Sequence, residues 1–118
     1  ISFEKLEAAR YANYLKKGGR IIVNTQEIDP MPVIIGTASY PDNCLDELTT
    51  KGLAVETLDA LTPAEQAGSS KAVNIVLMGR AAKYFDIPHD SWIKAIENTV
   101  AERFVEMNKK AFELGYNS

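Results

Sequence analysis

Cysteine and histidine are almost missing from this sequence, since Cys44 and His89 each occur once among 118 residues. A single cysteine excludes an internal disulfide, and it excludes a self-contained iron–sulfur cluster, which needs about four cysteine ligands. No apolar run approaches the roughly 20 residues of a membrane span. No signal peptide is visible either. We therefore expect a cytoplasmic protein that does not insert into membranes.

Phosphate-binding glycine loops of the GxGxxG and Walker types are also missing. The 13 basic and 16 acidic residues are intermixed and give a net charge of -3, which argues against nucleic acid as a partner. The length predicts a single domain over residues 1–118.

The most apolar stretch runs from Gly68 to Phe85 and predicts a buried helix at the centre of the fold. Gly79 lies in its middle, where glycine is usually kept for a close backbone approach. Asn74 is expected to be buried in the same helix and to face Asn108 of the last helix in an amide network. We predict that Asn74, Gly79 and Asn108 have structural or interface roles.

Helices and strands alternate in the first half of the sequence. A helix is predicted over Phe3–Lys17, with Phe3, Leu6, Ala9, Arg10, Tyr14 and Leu15 inward and Glu4 outward. Strands are predicted at Arg20–Asn24, Val33–Ile35 and Leu53–Leu58. A short helix through Leu48 lies between the last two.

The second half of the sequence predicts helices only. Thr62 and Pro63 indicate a helix start, Asp90 or Ser91 begins a helix through Thr99, and Ala101–Leu114 forms the last helix, capped by Gly115. The whole pattern predicts an α/β fold, a three-layer sandwich with a small, mostly parallel sheet and a helical C-terminal part.

Polar residues follow the first predicted strand, at Asn24, Thr25 and Gln26. The carboxyl ends of strands face the ligand crevice in open α/β sheets, so these residues are candidates for a binding site. The alternative is that they only close a loop.

No catalytic or metal-binding group emerges from the remaining residues. His89 follows a proline and is interpreted as a surface turn residue without a partner. Cys44 has acidic neighbours and is interpreted as a small packing residue. Asp42, Asp46 and Glu47 form a solvated acidic face that completes no ligand cluster.

Four segments in order resemble the gamma subunits and gamma domains of 2-oxoacid:ferredoxin oxidoreductases. They are FEKLEAARYANYLKKGGRIIVNTQEIDPMPV from Phe3, GTASYP from Gly36, LDALTPAEQAGSSKAVNIVLMGRAAKYFDIP from Leu58, and ERFVEMNKKAFELG from Glu102. The third contains the Ala-Gly and Asn-x-x-x-x-Gly elements of the family. The Asn24-Thr25-Gln26 segment favours the indolepyruvate branch.

This resemblance implies a non-catalytic small subunit within a larger complex. Such complexes oxidatively decarboxylate a 2-oxoacid to an acyl-CoA, using thiamine diphosphate and iron–sulfur clusters, and reduce ferredoxin. The resemblance implies that thiamine diphosphate, the clusters and coenzyme A belong to the complex and not to this chain. The expected partner is the large catalytic subunit, with ferredoxin as an indirect partner.

The resemblance also implies a strand and a glycine-rich turn ahead of the first helix, which this sequence does not contain. We therefore expect a truncated sheet with an uncovered edge, and self-association of an isolated copy as a homodimer. Two alternatives stay open. One is a stand-alone ligand-binding module using Asn24, Thr25 and Gln26, and the other is a small enzyme using Asp59 or His89.

Overall fold

A computed structural model describes residues 1–118, which divide into two compact units, Ile1–Leu58 and Asp59–Ser118. The first unit contains α1 (Lys5–Tyr11), β1 (Arg20–Asn24), α2 (Met31–Ile34), α3 (Cys44–Thr50) and β2 (Ala54–Leu58). The second contains α4 (Leu61–Ala67), α5 (Val73–Ala82), α6 (His89–Thr99) and α7 (Val105–Tyr116). No helix is long and apolar enough to cross a membrane.

The sheet consists of β1 and β2, which pair in parallel from Arg20 opposite Ala54 to Asn24 opposite Leu58. Both strands were predicted, and the α/β class is confirmed. On the other edge of β1, the Ser2 N–H donates to the Ile22 carbonyl at 2.8 Å. The Asn24 N–H donates back to the Ser2 carbonyl at 2.9 Å, so a single residue bridges this edge.

The predicted strand at Val33–Ile35 is wrong, because this segment forms the short helix α2 and its end. Pro30 and Pro32 explain the difference. A proline has no N–H for a strand ladder, whereas the first turn of a helix needs none. The carbonyl of Pro30 accepts from the N–H of Ile34 at 3.1 Å.

The first helix is shorter than predicted and buries a different face. Ala8 and Ala12 are buried and pack with residues of β1, whereas Tyr14 is 86% exposed and Phe3 is also exposed. Small side chains allow the helix backbone to approach the strand closely, so the larger side chains of this region face outward.

The second unit depends on a close contact between α5 and α7. A Cβ added to Gly79 would overlap the Phe112 carbonyl oxygen and lie 2.9 Å from the Tyr116 nitrogen. A Cβ added to Gly115 would overlap the Val76 carbonyl oxygen. The close approach expected at Gly79 is therefore present, and Gly115 lies inside α7 at the same contact and does not cap the helix.

The predicted amide network is wrong. The Asn74 side chain is exposed, and the Asn108 amide donates to the Phe104 carbonyl of its own helix turn at 2.8 Å. Residues two apart on a helix point about 200° apart. Because Val76 faces α7, Asn74 must face away from it.

We predict that Gly79→Ala destabilises the protein by about 3 kcal/mol, because neither neighbouring backbone atom can move aside without separating two helices. Thermal or urea unfolding measures the loss. Asn74→Ala on the same helix is the matched control, and its stability should stay within about 0.5 kcal/mol of wild type. Equal stability of the two variants would contradict the packing described.

Candidate functional site

A buried carboxylate lies at the start of α1. Glu4 is 5% exposed, and its oxygens accept hydrogen bonds from the Glu7 N–H at 2.9 Å, the Ile28 N–H at 3.3 Å and the Tyr40 hydroxyl. A buried charge is costly unless donors surround it. Here the donors come from the helix start and from both ends of a distant loop.

The ionisation of Glu4 and Tyr40 fits this arrangement. Burial acts to raise the pKa of Glu4, but hydrogen bonds from Tyr40 and from backbone N–H groups outweigh it and lower that pKa below its ordinary value of 4.5. Burial and the bond to Glu4 raise the pKa of Tyr40. The tyrosine therefore stays a donor, and its oxygen also accepts from the Leu6 N–H at 3.0 Å.

The two bonds to Glu4 close the segment Ile28–Tyr40, which we call the apolar loop. Its ends meet at one carboxylate, as in compact Ω-shaped loops that close on themselves and are frequently functional. The Lys5 ammonium also binds Glu27 at 2.8 Å just before the loop. Within the loop, the Pro32 carbonyl accepts from the Thr37 N–H at 2.9 Å. The loop is therefore held in one conformation.

The apolar loop exposes its large side chains. Ile28 is 59% exposed, and Met31, Ile34 and Ile35 are 65%, 66% and 63% exposed. Residues spaced by three and four positions share one helix face, so the last three lie together on the outer side of α2. Only Val33 of this helix is half-buried. The exposed face of α2 is therefore apolar.

Beside α1 lies an open groove of about 410 Å³. The rings of Tyr11 and Tyr14 are 6.0 Å apart, and both line this groove. Its other apolar lining residues are Ile1, Phe3, Ala8, Leu15 and Ile21. Phe3 and Tyr14, which the sequence predicted to face inward, therefore lie with Tyr11 on an exposed surface.

The predicted crevice residues have different surroundings. The Asn24 side chain is 1% exposed, and its amide donates to the Phe3 carbonyl at 3.1 Å and to the Gln26 side chain at 3.3 Å. It ties the end of β1 to the segment before α1. Thr25 and Gln26 are exposed, so a ligand role for this loop stays a prediction that rests on these two residues.

The sequence predicted that His89 is a surface turn residue without a partner, and this prediction is wrong. It opens α6, its Nε2 lies 2.7 Å from Glu113 Oε1, and its ring meets Tyr116 and Phe112 edge-on at 4.9 and 5.7 Å between centroids. The preceding proline indicated only a turn, and the contacts could not be seen in the sequence because they come from α7. The ring joins α6 to α7.

The remaining polar candidates have structural partners. Cys44 is buried, and burial raises the pKa of its thiol, as expected of a packing residue. Asp59 caps α4 by accepting from the N–H groups of Leu61 and Thr62, so the cap is Asp59 and not Thr62. A bond from the Thr62 hydroxyl lowers the pKa of Asp59. No group of three His, Cys, Asp or Glu residues is placed to hold a metal.

Glu4 was missed because the sequence placed it on the outer face of the first helix. Glutamate is not among the residues that most often cap a helix start, and its partners Ile28 and Tyr40 lie 24 and 36 positions away. The sequence shows that residues 21–50 contain no lysine or arginine, but this absence does not point to Glu4.

Comparison with known proteins gives a family match over the whole sequence. The sequence model of the pyruvate ferredoxin/flavodoxin oxidoreductase family matches residues 1–118. The chain is 38% identical over 121 residues to indolepyruvate oxidoreductase subunit IorB of Archaeoglobus fulgidus, covering 99% of this chain and 60% of that protein.

Two further relatives carry the same name. The proteins from Thermococcus kodakarensis and Pyrococcus horikoshii are 36% and 37% identical, each over 98% of this chain and 59% of its relative. The chain thus spans about 60% of the length of the relatives it matches. No solved structure gives a significant match.

We predict that Glu4→Gln lowers stability at pH 7 by about 1–3 kcal/mol, because a neutral amide replaces the acceptor of charge-assisted bonds. The wild-type carboxyl binds its proton more weakly when folded, so its contribution is present above pH 4.5 and is lost as pH falls through the lower folded pKa. The variant should lose this part of the acid dependence.

Urea unfolding at pH 7 and at acid pH measures this effect. Glu106→Gln is the control, because its side chain is 90% exposed. If the free energy of unfolding falls equally between pH 7 and acid pH in wild type and Glu4→Gln, the role assigned to the carboxylate is contradicted.

We also predict that His89→Ala lowers the stability of the second unit by about 1–2 kcal/mol, through loss of the Glu113 bond and the ring contacts. His89→Phe keeps the ring and should recover part of the loss. Lys94→Ala, an exposed change on the same helix, serves as the control in thermal unfolding. If the thermal unfolding midpoint of His89→Ala equals that of the control, this packing role is refuted.

Proposed function

Since the chain belongs to the pyruvate ferredoxin/flavodoxin oxidoreductase family, we propose that it works as part of a non-catalytic small subunit. The complex would be an indolepyruvate:ferredoxin oxidoreductase, which oxidatively decarboxylates an aryl pyruvate to an acyl-CoA and passes the electrons to ferredoxin. Three relatives named as indolepyruvate oxidoreductase subunits support both the subunit role and the substrate.

The residues of this chain do not fit the cofactors that the reaction requires. Its one thiol, Cys44, is buried and has a raised pKa, and a cluster needs about four cysteine ligands. No metal-ligand group is present among the described residues that could hold the cation of a diphosphate. We therefore assign thiamine diphosphate, the iron–sulfur clusters and the coenzyme A site to parts of the complex other than this chain.

The polar groups that could do chemistry are engaged in holding the fold. Glu4 closes the apolar loop, Asp59 caps α4, and His89 joins two helices. The first unit exposes large apolar side chains around α2 and along α1. The engagement of Glu4, Asp59 and His89 within the fold is the observation that carries the proposal of a contact-making subunit.

A second candidate is a stand-alone module that binds a small ligand. The exposure of Thr25 and Gln26 at the carboxyl end of β1 favours it. Against it, the most polar member of the set, Asn24, is buried and bonded to the chain itself.

The full-length protein should copurify in a fixed ratio with the large thiamine-binding subunit of the same organism's indolepyruvate oxidoreductase when the two are co-expressed. Ferredoxin reduction by indolepyruvate and coenzyme A should need the large subunit, and the small protein alone should show none. A Thr25→Ala, Gln26→Ala variant should still assemble.

Two outcomes would overturn the proposal. One is keto-acid turnover by the small protein alone. The other is the absence of a complex together with tight small-molecule binding that Thr25→Ala, Gln26→Ala removes, which would establish the module.

A further inference from the structure

The charged residues of the chain segment that contains the apolar loop are all acidic, and the cation beside it, Lys5 of α1, is paired with Glu27 at 2.8 Å. Residues 21–50 contain no lysine or arginine, and their charged residues are Glu27, Asp29, Asp42, Asp46 and Glu47. Asp29 stands exposed beside the apolar side chains of the loop. The loop therefore presents an apolar centre with an acidic border.

We propose that the apolar loop, Ile28–Tyr40, is the docking element for the large subunit, which receives it in an apolar groove bordered by lysine or arginine. This inference rests on the proposed function, because it names the surface through which that subunit binds. Met31, Ile34 and Ile35 enter the groove from one helix face, and Asp29 meets the basic border.

The Glu4 carboxylate makes this loop a prepared binding surface. Binding a flexible loop costs conformational entropy for each side chain and backbone segment that becomes ordered. Here the Ile28 N–H and the Tyr40 hydroxyl already bind the same carboxylate, and Pro30 and Pro32 restrict the backbone of α2. Three large apolar side chains are thereby held outward without a covering element in their own unit.

A second copy of this chain is the less suitable occupant. In a two-fold symmetric dimer the same patch lies on both subunits, so the acidic border of one loop would face the acidic border of the other. Like charges across an interface cost several kcal/mol. The charge pattern therefore favours a partner whose border is basic.

The test measures binding of the full-length protein to the purified large subunit. Ile34→Asp should raise the dissociation constant above that of wild type by roughly tenfold or more. Asp29→Lys should raise the dissociation constant by roughly three- to tenfold and make binding less dependent on salt. Both side chains are exposed in residues 1–118, so circular dichroism and thermal unfolding of the variants should match wild type. A full-length Ile34→Asp variant that is clearly destabilised would assign the loop to another segment of the same protein and overturn the docking assignment.

Matched controls come from the second unit. Ile87→Asp changes an isoleucine that is 45% exposed, and Glu65→Lys makes the same charge change at an exposed site. Neither should reproduce the effect of its counterpart in the loop.

The outcomes separate the two proposals. Wild type that fails to bind the large subunit overturns the subunit function, and the docking assignment falls with it. Wild type that binds, with Ile34→Asp and Asp29→Lys binding as tightly, overturns the docking assignment alone. Sedimentation that shows a wild-type dimer dissolved by Ile34→Asp, with binding to the large subunit unchanged, would assign the loop to a second copy and also overturn it.

Discussion

The first unit depends on one buried negative charge. Glu4 accepts hydrogen bonds from the start of α1 and from two points of the apolar loop that lie 24 and 36 residues away in sequence. A neutral acceptor could satisfy the same donors, but charge-assisted bonds are about twice as strong. Removing the carboxylate would leave several buried donors unpaired at once. The helix start and the loop are therefore held by the same carboxylate.

Elements whose signals are local could be predicted from the sequence. The strands β1 and β2 follow glycines and carry β-branched residues, and α4 to α7 carry periodic apolar residues. The segment at Val33–Ile35 has the same β-branched composition, and only the neighbouring prolines distinguish it. Glu4 could not be found, because its burial is caused by residues distant in sequence. Hydrophobic periodicity describes one helix or strand at a time, so it cannot show that residues distant in sequence meet at one side chain.

The direction in which each helix faces was harder to predict than its presence. In both units small residues mark the contact: Ala8 in α1 and Ala12 directly after it, and Gly79 and Gly115 between α5 and α7. The rule that large apolar residues face inward placed Phe3 and Tyr14 wrongly, and the expected amide network placed Asn74 wrongly. Small residues permit close backbone approach, and the side chains around them then have less room inside. Gly79 alone gave the correct face of α5, since a mid-helix glycine is unfavourable without such a contact.

Two departures from ordinary burial coincide in the first unit. A carboxylate is inside, and large apolar side chains are outside, although single exposed apolar residues are common and need no explanation. Here they are neighbours on one helix face, and the buried charge holds that helix in place. A fold selected only for its own stability would gain by turning Met31 and Ile34 inward. The docking proposed above would cover these side chains and recover that free energy.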